Sequence, residues 1–424
     1  MSSCAATKYK IDKAPLTKFF ETNPVFRESH SGLLVVDMET GSTLFDYNAQ
    51  KHFVPASNTK LLTYYAATKM MGDSIPALDY CIVGDSLFFS GTGDPSFLYT
   101  QFEYAHTLDY LQNTPHQLVY IQNPMTDQRF GPGWAWDDYP YDYSIEKASC
   151  PIYGNSVHFY TSSDEEQVNV MPKSFNKLLF IKKDSTVHIT NLKRNEFENQ
   201  FYLEIPDSAS EIDEFIPFIY TNELFVNLLA DTLQRPIMIS GQFPETCERQ
   251  FLFSVPTDSI SKHILVESDN FLAEQMLLVI SNQLSDTLSS EKTIDYVLKN
   301  HLVDLEEQIY WVDGSGLSRY NQVTPKALVT VLGKLYHEVP KESLYAFLPE
   351  SGKNGTIKTS FPILEGKIHA KTGSMSHVYN LSGYLETNSG KTLLFSFMNN
   401  NFNVSFSELK TEMERVLAIF VNDK

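Results

Sequence analysis

Short β-strand patterns fill the middle of this chain, over residues 74–247. Apolar runs separated by Gly, Pro, Asn and Asp turns recur through this stretch. This pattern is typical of a mostly β unit. The chain has 424 residues, which is too many for one compact core. We therefore predict an inserted β-rich domain over 74–247, as one body or as two nested subdomains, within a split domain formed by 1–73 and 248–424. The clearest apolar runs are 87–89, 118–121, 157–160, 178–181 and 201–205.

The flanking segments mix strand and helix patterns. Residues 32–36 and 43–47 are apolar runs around a Gly-containing turn, which predicts a β-hairpin. Apolar residues then recur at helical spacing from Ser57, and we expect this helix to end at Gly72, since glycine readily takes the left-handed C-terminal conformation. These patterns predict an α/β fold for the split domain. Helical periodicity returns at 268–280, 325–336 and 407–421, and strand patterns occur at 367–371, 379–385 and 392–398.

The balance of charges excludes one large class of partners. The chain carries 33 basic and 52 acidic residues, a net charge of −19, so most of its surface repels polyphosphate and we expect no nucleic-acid partner. Hydrophobic residues make up 42% of the sequence, which is enough to bury a core and excludes a disordered protein. No window approaches about 18 uninterrupted apolar residues, so we expect no membrane-spanning helix.

Metal and nucleotide signatures are incomplete in this sequence. His337 and Glu338 lack the second histidine of a zinc-peptidase helix. Residues 314–316 lack the third glycine of a dinucleotide fingerprint, and residues 389–392 lack the leading glycine of a phosphate loop. We therefore expect neither a metal ion nor a cofactor.

The cysteines are too few for a disulfide framework and show no zinc-binding spacing. Cys81, Cys150 and Cys247 fit small core positions. At most one pair of them could form a disulfide in an oxidising compartment, and the sequence leaves the pair open. Cys4 follows two serines and resembles the lipid-attachment cysteine of bacterial lipoproteins; the alternative is an ordinary cysteine.

A serine three residues before a lysine is a candidate nucleophile and base, because one helical turn brings the ammonium beside the hydroxyl. Ser57 differs from the other instances because it starts a predicted helix, whose N terminus directs free N–H groups toward a developing oxyanion. Lys60 points along an otherwise apolar first turn that contains Leu61 and Leu62, where loss of hydration favours the neutral form of a lysine. The remaining pairs fit solvated helix faces: Ser144/Lys147, Ser174/Lys177, Ser259/Lys262, Ser289/Lys292 and Ser407/Lys410.

Two polar triplets downstream complete this pattern. The first, Ser-Asp-Asn, supplies Ser268, whose hydroxyl can relay a proton between the nucleophile and a leaving amine. It also supplies Asn270, whose amide can hold Lys60 and a substrate amide. The second, Lys-Thr-Gly, begins at Lys371 on an alternating strand pattern, where a lysine can bind a carboxylate and Gly373 lets a ligand approach the strand edge. Each piece alone is more often structural, but the ordered set of three is much more specific.

The ordered motifs Ser-x-x-Lys, Ser-Asp-Asn and Lys-Thr-Gly resemble the signature of penicillin-interacting serine peptidases and β-lactamases. Ser57 and Ser268 lie 211 positions apart, far more than in compact β-lactamases, so an inserted domain is needed. Further stretches resemble the low-molecular-mass class C penicillin-binding proteins, the D-alanyl-D-alanine carboxypeptidase/endopeptidase group. These stretches are 91–96, 133–138, 311–319 and 378–384.

This resemblance implies the fold and the reaction. The expected fold is a penicillin-binding/β-lactamase-like transpeptidase domain, an antiparallel sheet with helices on both faces, interrupted by the β-rich insertion. The implied reaction forms an acyl-enzyme on Ser57, with Lys60 as base, and cleaves D-Ala-D-Ala ends or D-Ala-diaminopimelate crosslinks of peptidoglycan. Ser268 and Asn270 would relay protons and position the substrate, and Lys371 would assist.

The resemblance also implies how the substrate is held. Thr372 would bind the carboxylate of the substrate or of penicillin, and the backbone N–H groups of Ser57 and Ser374 would form the oxyanion hole. Asp138 would bind the amino group of diaminopimelate, and Arg319 would bind its carboxylate.

The implied partners are peptidoglycan stem peptides and β-lactam antibiotics. The implied location is the periplasm or cell envelope, with a lipid anchor through Cys4. The sequence leaves open the oligomeric state, a homodimer included, and the balance of carboxypeptidase and endopeptidase activity. Two alternatives also stay open: a β-lactamase or esterase on the same core, which has no need of a large insertion, and a non-catalytic envelope lipoprotein, in which intact motifs would be unexpected.

Overall fold

The structure, a computed structural model, describes residues 13–103, 105–161, 167–183, 189–206 and 211–422. The chain divides into two compact units. The first comprises Met1–Lys69, Ser261–Ser268 and Ile294–Lys424, and the second comprises Met70–Ile260 and Asp269–Thr293. Cys4, the predicted lipid-attachment residue, lies outside the described residues.

The described chain contains both helices and strands. The helices are α1 (Lys13–Thr22), α2 (Pro24–Arg27), α3 (Lys60–Met70), α4 (His106–Asn113), α5 (Asn222–Leu233), α6 (Thr257–Val266), α7 (Asn270–Leu284), α8 (Ser290–Asn300), α9 (Pro325–Glu338), α10 (Lys341–Ala346) and α11 (Phe406–Val421). The strands are β1 (His30–Asp37), β2 (Thr43–Tyr47), β3 (Ser74–Val83), β4 (Ser86–Gly91), β5 (Gln117–Ile121), β6 (Ser156–Thr161), β7 (Val168–Met171), β8 (Leu179–Lys183), β9 (Asn191–Arg194), β10 (Phe201–Ile205), β11 (Asp213–Pro217), β12 (Ile237–Ser240), β13 (Gln250–Pro256), β14 (Ile309–Tyr310), β15 (Gln322–Val323), β16 (Ile368–Met375), β17 (Val378–Glu386) and β18 (Thr392–Asn400).

An antiparallel sheet of five strands organises the first unit, in the order β16-β17-β18-β1-β2. The predicted hairpin is confirmed as β1 and β2, with Gly41 at φ +67° in its turn. β16 forms the opposite edge, and Lys371 lies opposite Ser382 on β17. An edge strand presents backbone groups that an extended peptide can join, so the Lys-Thr-Gly triplet lies where a peptide substrate could add to the sheet.

Helices cover both faces of this sheet. Phe20 of α1 and Phe420 of α11 belong to one buried apolar cluster with Phe395 of β18. On the other face α9 packs against the strands, and its Gly333 lies beside Leu394. Neighbouring residues of a strand point to opposite faces, so β18 contacts a different helix layer on each side. This layering confirms the predicted fold of an antiparallel sheet between helices.

A second five-stranded sheet, in the order β12-β5-β4-β3-β13, organises the second unit. β12, β5 and β4 pair in parallel, whereas β4, β3 and β13 pair antiparallel. Two three-stranded sheets, β11-β6-β7 and β8-β10-β9, share one apolar core with this sheet and with α4 and α5. Strands occur at all the apolar runs singled out between residues 74 and 247, but the two helices were not predicted.

α7 is buried on every side in the second unit. All of its residues from Phe271 to Ser281 are buried, as expected for a helix at the centre of a core. The loop after β4 approaches it closely, because Gly93, at φ +92°, has no side chain to meet Leu278. Asn270, the asparagine of the Ser-Asp-Asn motif, lies in the first turn of this helix.

One disulfide lies in the described part of the chain. It joins Cys81 on β3 to Cys247, with Cα atoms 5.8 Å apart, and Cys150 is a buried free thiol. The sequence allowed at most one pair and left its members open.

The helix that follows Ser57 is shorter than predicted. A 3₁₀ turn, Ala56–Thr59, leads into α3, which ends at Met70. The prediction for Gly72 was wrong: it does not take the left-handed conformation, because the chain continues almost directly into the extended β3. None of the helices in the described part of the chain is long and apolar enough to cross a membrane.

The domain boundaries at 74 and 247 stay a prediction. The compact units divide the chain elsewhere, and both 248–260 and 269–293 belong to the second unit. Ser268 and Asn270 of one motif therefore fall in different units.

Candidate active site

Ser57 lies in a tight turn that leads directly into a buried helix. Ala56, at φ +47°, turns the backbone before it, and Thr59 Oγ1 donates to the Ala56 carbonyl at 2.9 Å. Lys60 follows at the start of α3 with its side chain fully buried. Its Nζ donates to Ser57 Oγ at 2.9 Å, so the spacing of three residues brings the candidate base to the candidate nucleophile.

The loop after β14 supplies a second hydrogen-bond partner for Lys60. The carbonyl of Ser315 accepts from Lys60 Nζ at 2.7 Å. Asp313 shapes this loop, since its carboxylate accepts from the N–H of Gly316 at 2.8 Å. Gly316 has φ +83°, and a Cβ there would overlap the carbonyl oxygen of Ala56. The loop and the nucleophile turn therefore pack backbone against backbone, which only glycine allows at this position.

Lys371 and Ser268 form a second pair of lysine and serine. Lys371 is fully buried and donates to Ser268 Oγ at 2.9 Å and to the Thr372 carbonyl at 3.1 Å. Burial, and then the charge of Lys60, lower the pKa of Lys371 well below its ordinary value. The two pairs lie close together, because Asn58, the residue after Ser57, donates to the Lys371 carbonyl at 2.8 Å.

Ser268 is held in an uncommon backbone conformation. It follows α6 and has φ +65°, a left-handed value that few residues other than glycine adopt. Such strain persists only where the surrounding structure fixes it, and it is frequent at functional sites. Here it accompanies the hydrogen bond from Lys371.

β16 lies against the nucleophile turn because Gly373 has no side chain. A Cβ on Gly373 would overlap the Pro55 carbonyl oxygen and would lie 3.2 Å from the backbone nitrogen of Ser57. Ser374 is the next residue of β16, and it is exposed. The N–H of Ser57 therefore lies beside the strand that carries the other predicted oxyanion donor.

Two buried asparagines fix the turn to the sheet, and sequence reasoning missed both. Asn58 Nδ2 donates to the Lys371 carbonyl at 2.8 Å, and Asn58 Oδ1 accepts from Ser382 Oγ at 2.7 Å. Asn380 Nδ2 donates to the Pro55 carbonyl at 2.8 Å. A polar residue directly after the nucleophile was the one available signal for Asn58. Asn380 lay within the family-like stretch 378–384 but was not singled out as a site residue.

The far end of β16 carries the remaining predicted groups of the first unit. Thr372 Oγ1 hydrogen-bonds with Thr356 Oγ1 at 2.7 Å. Arg319 is exposed, and its Nη2 donates to the Ser376 carbonyl at 3.4 Å, just beyond the strand. The guanidinium and the two hydroxyls thus lie along one strand end, where they can meet carboxylates.

The other two predicted residues belong to the second unit. Asn270 begins α7, which Asp269 caps by accepting from the Leu272 N–H at 2.9 Å. Asn270 Nδ2 donates to the Tyr143 carbonyl at 2.8 Å, and the Tyr143 hydroxyl donates to Asp138 Oδ1 at 2.9 Å. The predicted contact of Asn270 with the base stays a prediction.

Metal-binding clusters are absent from the part of the chain that the structure describes, where no three His, Cys, Asp or Glu side chains could hold an ion together. Glu338, part of the incomplete zinc motif, pairs with Lys69 at 3.1 Å.

Comparison with known proteins gives a consistent family. Residues 13–421 match the D-Ala-D-Ala carboxypeptidase 3 (S13) family. A D-alanyl-D-alanine carboxypeptidase of Actinomadura sp. (strain R39) is 25% identical, with 89% of this chain and 79% of that protein covered. The D-alanyl-D-alanine carboxypeptidase DacB of Haemophilus influenzae is 23% identical, with 91% and 88% covered.

Solved structures share the fold. Penicillin binding protein 4 (dacB) from Haemophilus influenzae has a TM-score of 0.75 at 20% identity, covering 97% of this chain and 100% of that one. A penicillin G acylated predatory endopeptidase, Bd3459 from Bdellovibrio bacteriovorus, has a TM-score of 0.53 at 14% identity, with 93% of each chain covered. The family match spans both compact units, and the resemblance predicted from the motifs is confirmed: the chain belongs to the D-Ala-D-Ala carboxypeptidase 3 (S13) family.

Proposed function

We propose that this family member is a working serine DD-peptidase that cleaves D-Ala-D-Ala peptides through an acyl-enzyme on Ser57. The observation that carries the proposal is the 2.9 Å hydrogen bond between the fully buried Lys60 Nζ and Ser57 Oγ. A nucleophile hydrogen-bonded to a base that is itself held by a third group is the arrangement of covalent catalysis. The Ser315 carbonyl is that third group.

Acylation follows from the two lysine–serine pairs. The Ser57 hydroxyl attacks the carbonyl carbon of the penultimate D-Ala as its proton passes to the neutral Lys60 amine. The C–N bond then breaks, and the proton travels from Lys60 through the Ser268 hydroxyl to the leaving amine of the terminal D-Ala. Water hydrolyses the Ser57 ester by the same path, with Lys60 again accepting the proton.

The oxyanion hole is formed by the backbone N–H groups of Ser57 and Ser374. Support comes from Gly373, whose bare Cα lets β16 pack directly beside the Ser57 nitrogen. Donors fixed in this way need no rearrangement when negative charge develops on the substrate oxygen.

Two sets of residues bind the charged groups of the substrate, one at its terminal carboxylate and the other at its diaminopimelate side chain. Lys371, Thr372 and Ser374 bind the terminal carboxylate, which is also the group that a penicillin presents. Asp138 binds the amino group of diaminopimelate and Arg319 its carboxylate, as the family resemblance implies. The exposed Arg319 lies beside the Ser376 carbonyl at the end of β16, which suits a residue that meets a side chain of the substrate.

β-Lactams are ligands of this protein by the same chemistry, since their ring carbonyl acylates the serine. The penicillin-acylated endopeptidase that shares this fold supports both β-lactam binding and cleavage of crosslinks as further properties. Peptidoglycan stem peptides are then the natural substrates.

The site of action is the periplasm or cell envelope. The Cys81–Cys247 disulfide supports an oxidising compartment. The proposal extends to a lipid anchor on Cys4 and to a homodimer.

Covalent labelling tests the proposal. A fluorescent penicillin should label the wild-type protein, and Ser57→Ala should abolish the label. Ser407→Ala is a matched control, because Ser407 is exposed and also precedes a lysine, Lys410, by three residues. An unlabelled wild type, or a labelled Ser57→Ala, would overturn the assignment.

Product analysis tests the bond that is cleaved. Mass spectrometry of products from crosslinked peptidoglycan should show loss of D-Ala, loss of crosslinks, or both, in the wild type and neither in Ser57→Ala. Rapid nitrocefin turnover without peptide cleavage would favour the β-lactamase alternative instead.

A further inference from the structure

The segment that carries Asp138 is a chain of tight turns in the second unit. The Asp138 N–H donates to the Ala135 carbonyl at 3.2 Å, and the Asp138 carbonyl accepts from the Tyr141 N–H at 3.1 Å. The Tyr141 carbonyl in turn accepts from the Ser144 N–H at 3.0 Å. These turns fix the backbone of Asp138, whereas the direction of its half-buried carboxylate depends on side-chain contacts.

Tyr143 provides such a contact and joins it to the Ser-Asp-Asn motif. Its hydroxyl donates to Asp138 Oδ1 at 2.9 Å, and its carbonyl accepts from Asn270 Nδ2 at 2.8 Å. The Tyr143 ring stacks on the Tyr141 ring, with centroids 5.3 Å apart and an interplanar angle of 8°. One residue thus holds both the carboxylate and the asparagine, and its ring is held by a neighbour.

We propose that Tyr143 is a positioning residue for substrate selection, whose hydroxyl directs the Asp138 carboxylate toward the amino group of the substrate side chain. The proposal rests on the function proposed above, in which Asp138 binds that amino group. Tyr143 does not touch the reacting atoms; it acts through Asp138.

The chemistry of the carboxylate favours this role. An ionised carboxylate has two oxygens that accept hydrogen bonds. The Tyr143 hydroxyl occupies Oδ1, and no described residue donates to Oδ2, which is therefore the oxygen open to a substrate ammonium. Burial and the contact with Asp138 raise the pKa of Tyr143, so the hydroxyl keeps its proton and remains a donor at neutral pH.

Selectivity between two substrates tests the proposal. The substrates are D-Ala-D-Ala peptides with diaminopimelate at the third position, one with its side-chain amine free and the other with that amine acetylated. The measured quantity is the ratio of kcat/KM for the free amine to kcat/KM for the blocked amine. Tyr143→Phe should lower this ratio about three- to tenfold, as expected for loss of a hydrogen bond to a charged group, mainly through a higher KM for the free amine.

Two variants make the result decisive. Tyr141→Phe removes the same atom from the stacked neighbour, whose hydroxyl has no hydrogen bond to a described residue, and should keep the wild-type ratio. Asp138→Asn should bring the ratio close to one. Equal losses on both substrates in Tyr143→Phe would reveal a merely structural role and overturn the inference, as would an unchanged ratio.

The same data separate this inference from the function on which it rests. A wild-type ratio near one contradicts the role of Asp138, and with it that of Tyr143. In another outcome, the wild-type ratio is well above one, Asp138→Asn lowers it to about one and Tyr143→Phe leaves it unchanged. That outcome supports the role of Asp138 and rejects only the role of Tyr143.

Discussion

Gly316 is the residue on which the contact between Lys60 and the Ser315 carbonyl depends. Its φ of +83° and its approach to the Ala56 carbonyl leave no room for a methyl group. Gly316→Ala should push the loop away from the nucleophile turn, and a displacement of about 1 Å in a catalytic group costs roughly 10²-fold in rate. The rate of acylation by a fluorescent penicillin measures this loss.

Gly390→Ala is the matched control for that substitution. Gly390 has φ +87°, so alanine meets the same backbone strain, but a Cβ there has no neighbour within 4 Å. Both variants should lose about 1 kcal/mol of stability from the left-handed backbone. Equal acylation rates in the two variants would contradict the role of the loop.

Lys371 gives a pH dependence of stability whose sign follows from its environment. Burial, and then the charge of Lys60, lower its pKa in the folded state, so between that pKa and the unfolded value of about 10.4 the unfolded chain binds more protons. The contribution of Lys371 to the free energy of unfolding therefore rises with pH in this window. Lys371→Met should raise Tm most at low pH, by an amount that shrinks as pH rises toward the unfolded pKa.

Thermal melts across this pH range check the effect, with the exposed Lys358→Met as control. The control removes an exposed side chain and therefore no buried ammonium, so its Tm should follow that of the wild type at every pH. A gain for Lys371→Met that is the same at every pH would mean that burial does not shift its protonation.

Residue patterns predicted the side chains of this site far better than its backbone contacts. The Ser57/Lys60 pair followed from helical spacing, and motif order singled out Ser268 and Lys371 as residues. The hydrogen bond between Lys371 and Ser268 was not predicted. The Ser315 carbonyl could not be predicted, because every residue carries a carbonyl and only the fold selects one. Asn270 and Asp138 were found as residues, but Tyr143, which contacts both, carried no motif of its own.

At the scale of the element, strands were predicted more completely than helices. The hairpin β1–β2 and the edge strand β16 showed clear patterns, whereas α4 and α5 were hidden within a stretch dominated by β texture. α5 had signals that were available: Thr221 caps it, and Phe225, Leu228 and Leu229 recur at helical spacing. α7 was found because its apolar run is long, although its burial on all sides depends on the surrounding sheets.

The cap of α7 links helix stability to the motif that follows it. Asp269 accepts from the Leu272 N–H at 2.9 Å and from the Tyr99 hydroxyl at 3.0 Å, directly before Asn270. Asp269→Ala should cost about 1–2 kcal/mol of stability and lower the penicillin acylation rate about tenfold, because the first turn that orients Asn270 frays.

Thr221→Ala separates the two effects. Thr221 caps α5 of the same unit through the Leu224 N–H at 3.0 Å, and its loss should cost a similar free energy without slowing acylation. Urea melts and labelling rates measured on both variants give the comparison. A parallel fall in acylation would show that general loosening, rather than the orientation of Asn270, sets the rate.

At the scale of the whole molecule, the net charge of −19 should repel a substrate that ends in a carboxylate. The side chains of Lys60 and Lys371 are both fully buried in the first unit. When Lys371 is protonated, its charge lies in a medium that screens it weakly, so it can hold a carboxylate despite the acidic surface. Net charge thus excludes nucleic acid without excluding a carboxylate ligand.

The Cys81–Cys247 disulfide gives the last prediction, because it closes a long stretch of the chain. The two cysteines are 166 positions apart. Close to them in sequence, the Arg249 guanidinium hydrogen-bonds to the buried Asp79 at 2.8 Å. Cys81→Ser/Cys247→Ser should lose about 2–5 kcal/mol of stability, since cross-links over long loops restrict the unfolded chain strongly. Reductant should lower the Tm of the wild type and leave that of the double variant unchanged. Thiol titration of the denatured, unreduced chain, which has 4 cysteines, should count fewer thiols than titration after reduction, and equal counts would rule the disulfide out.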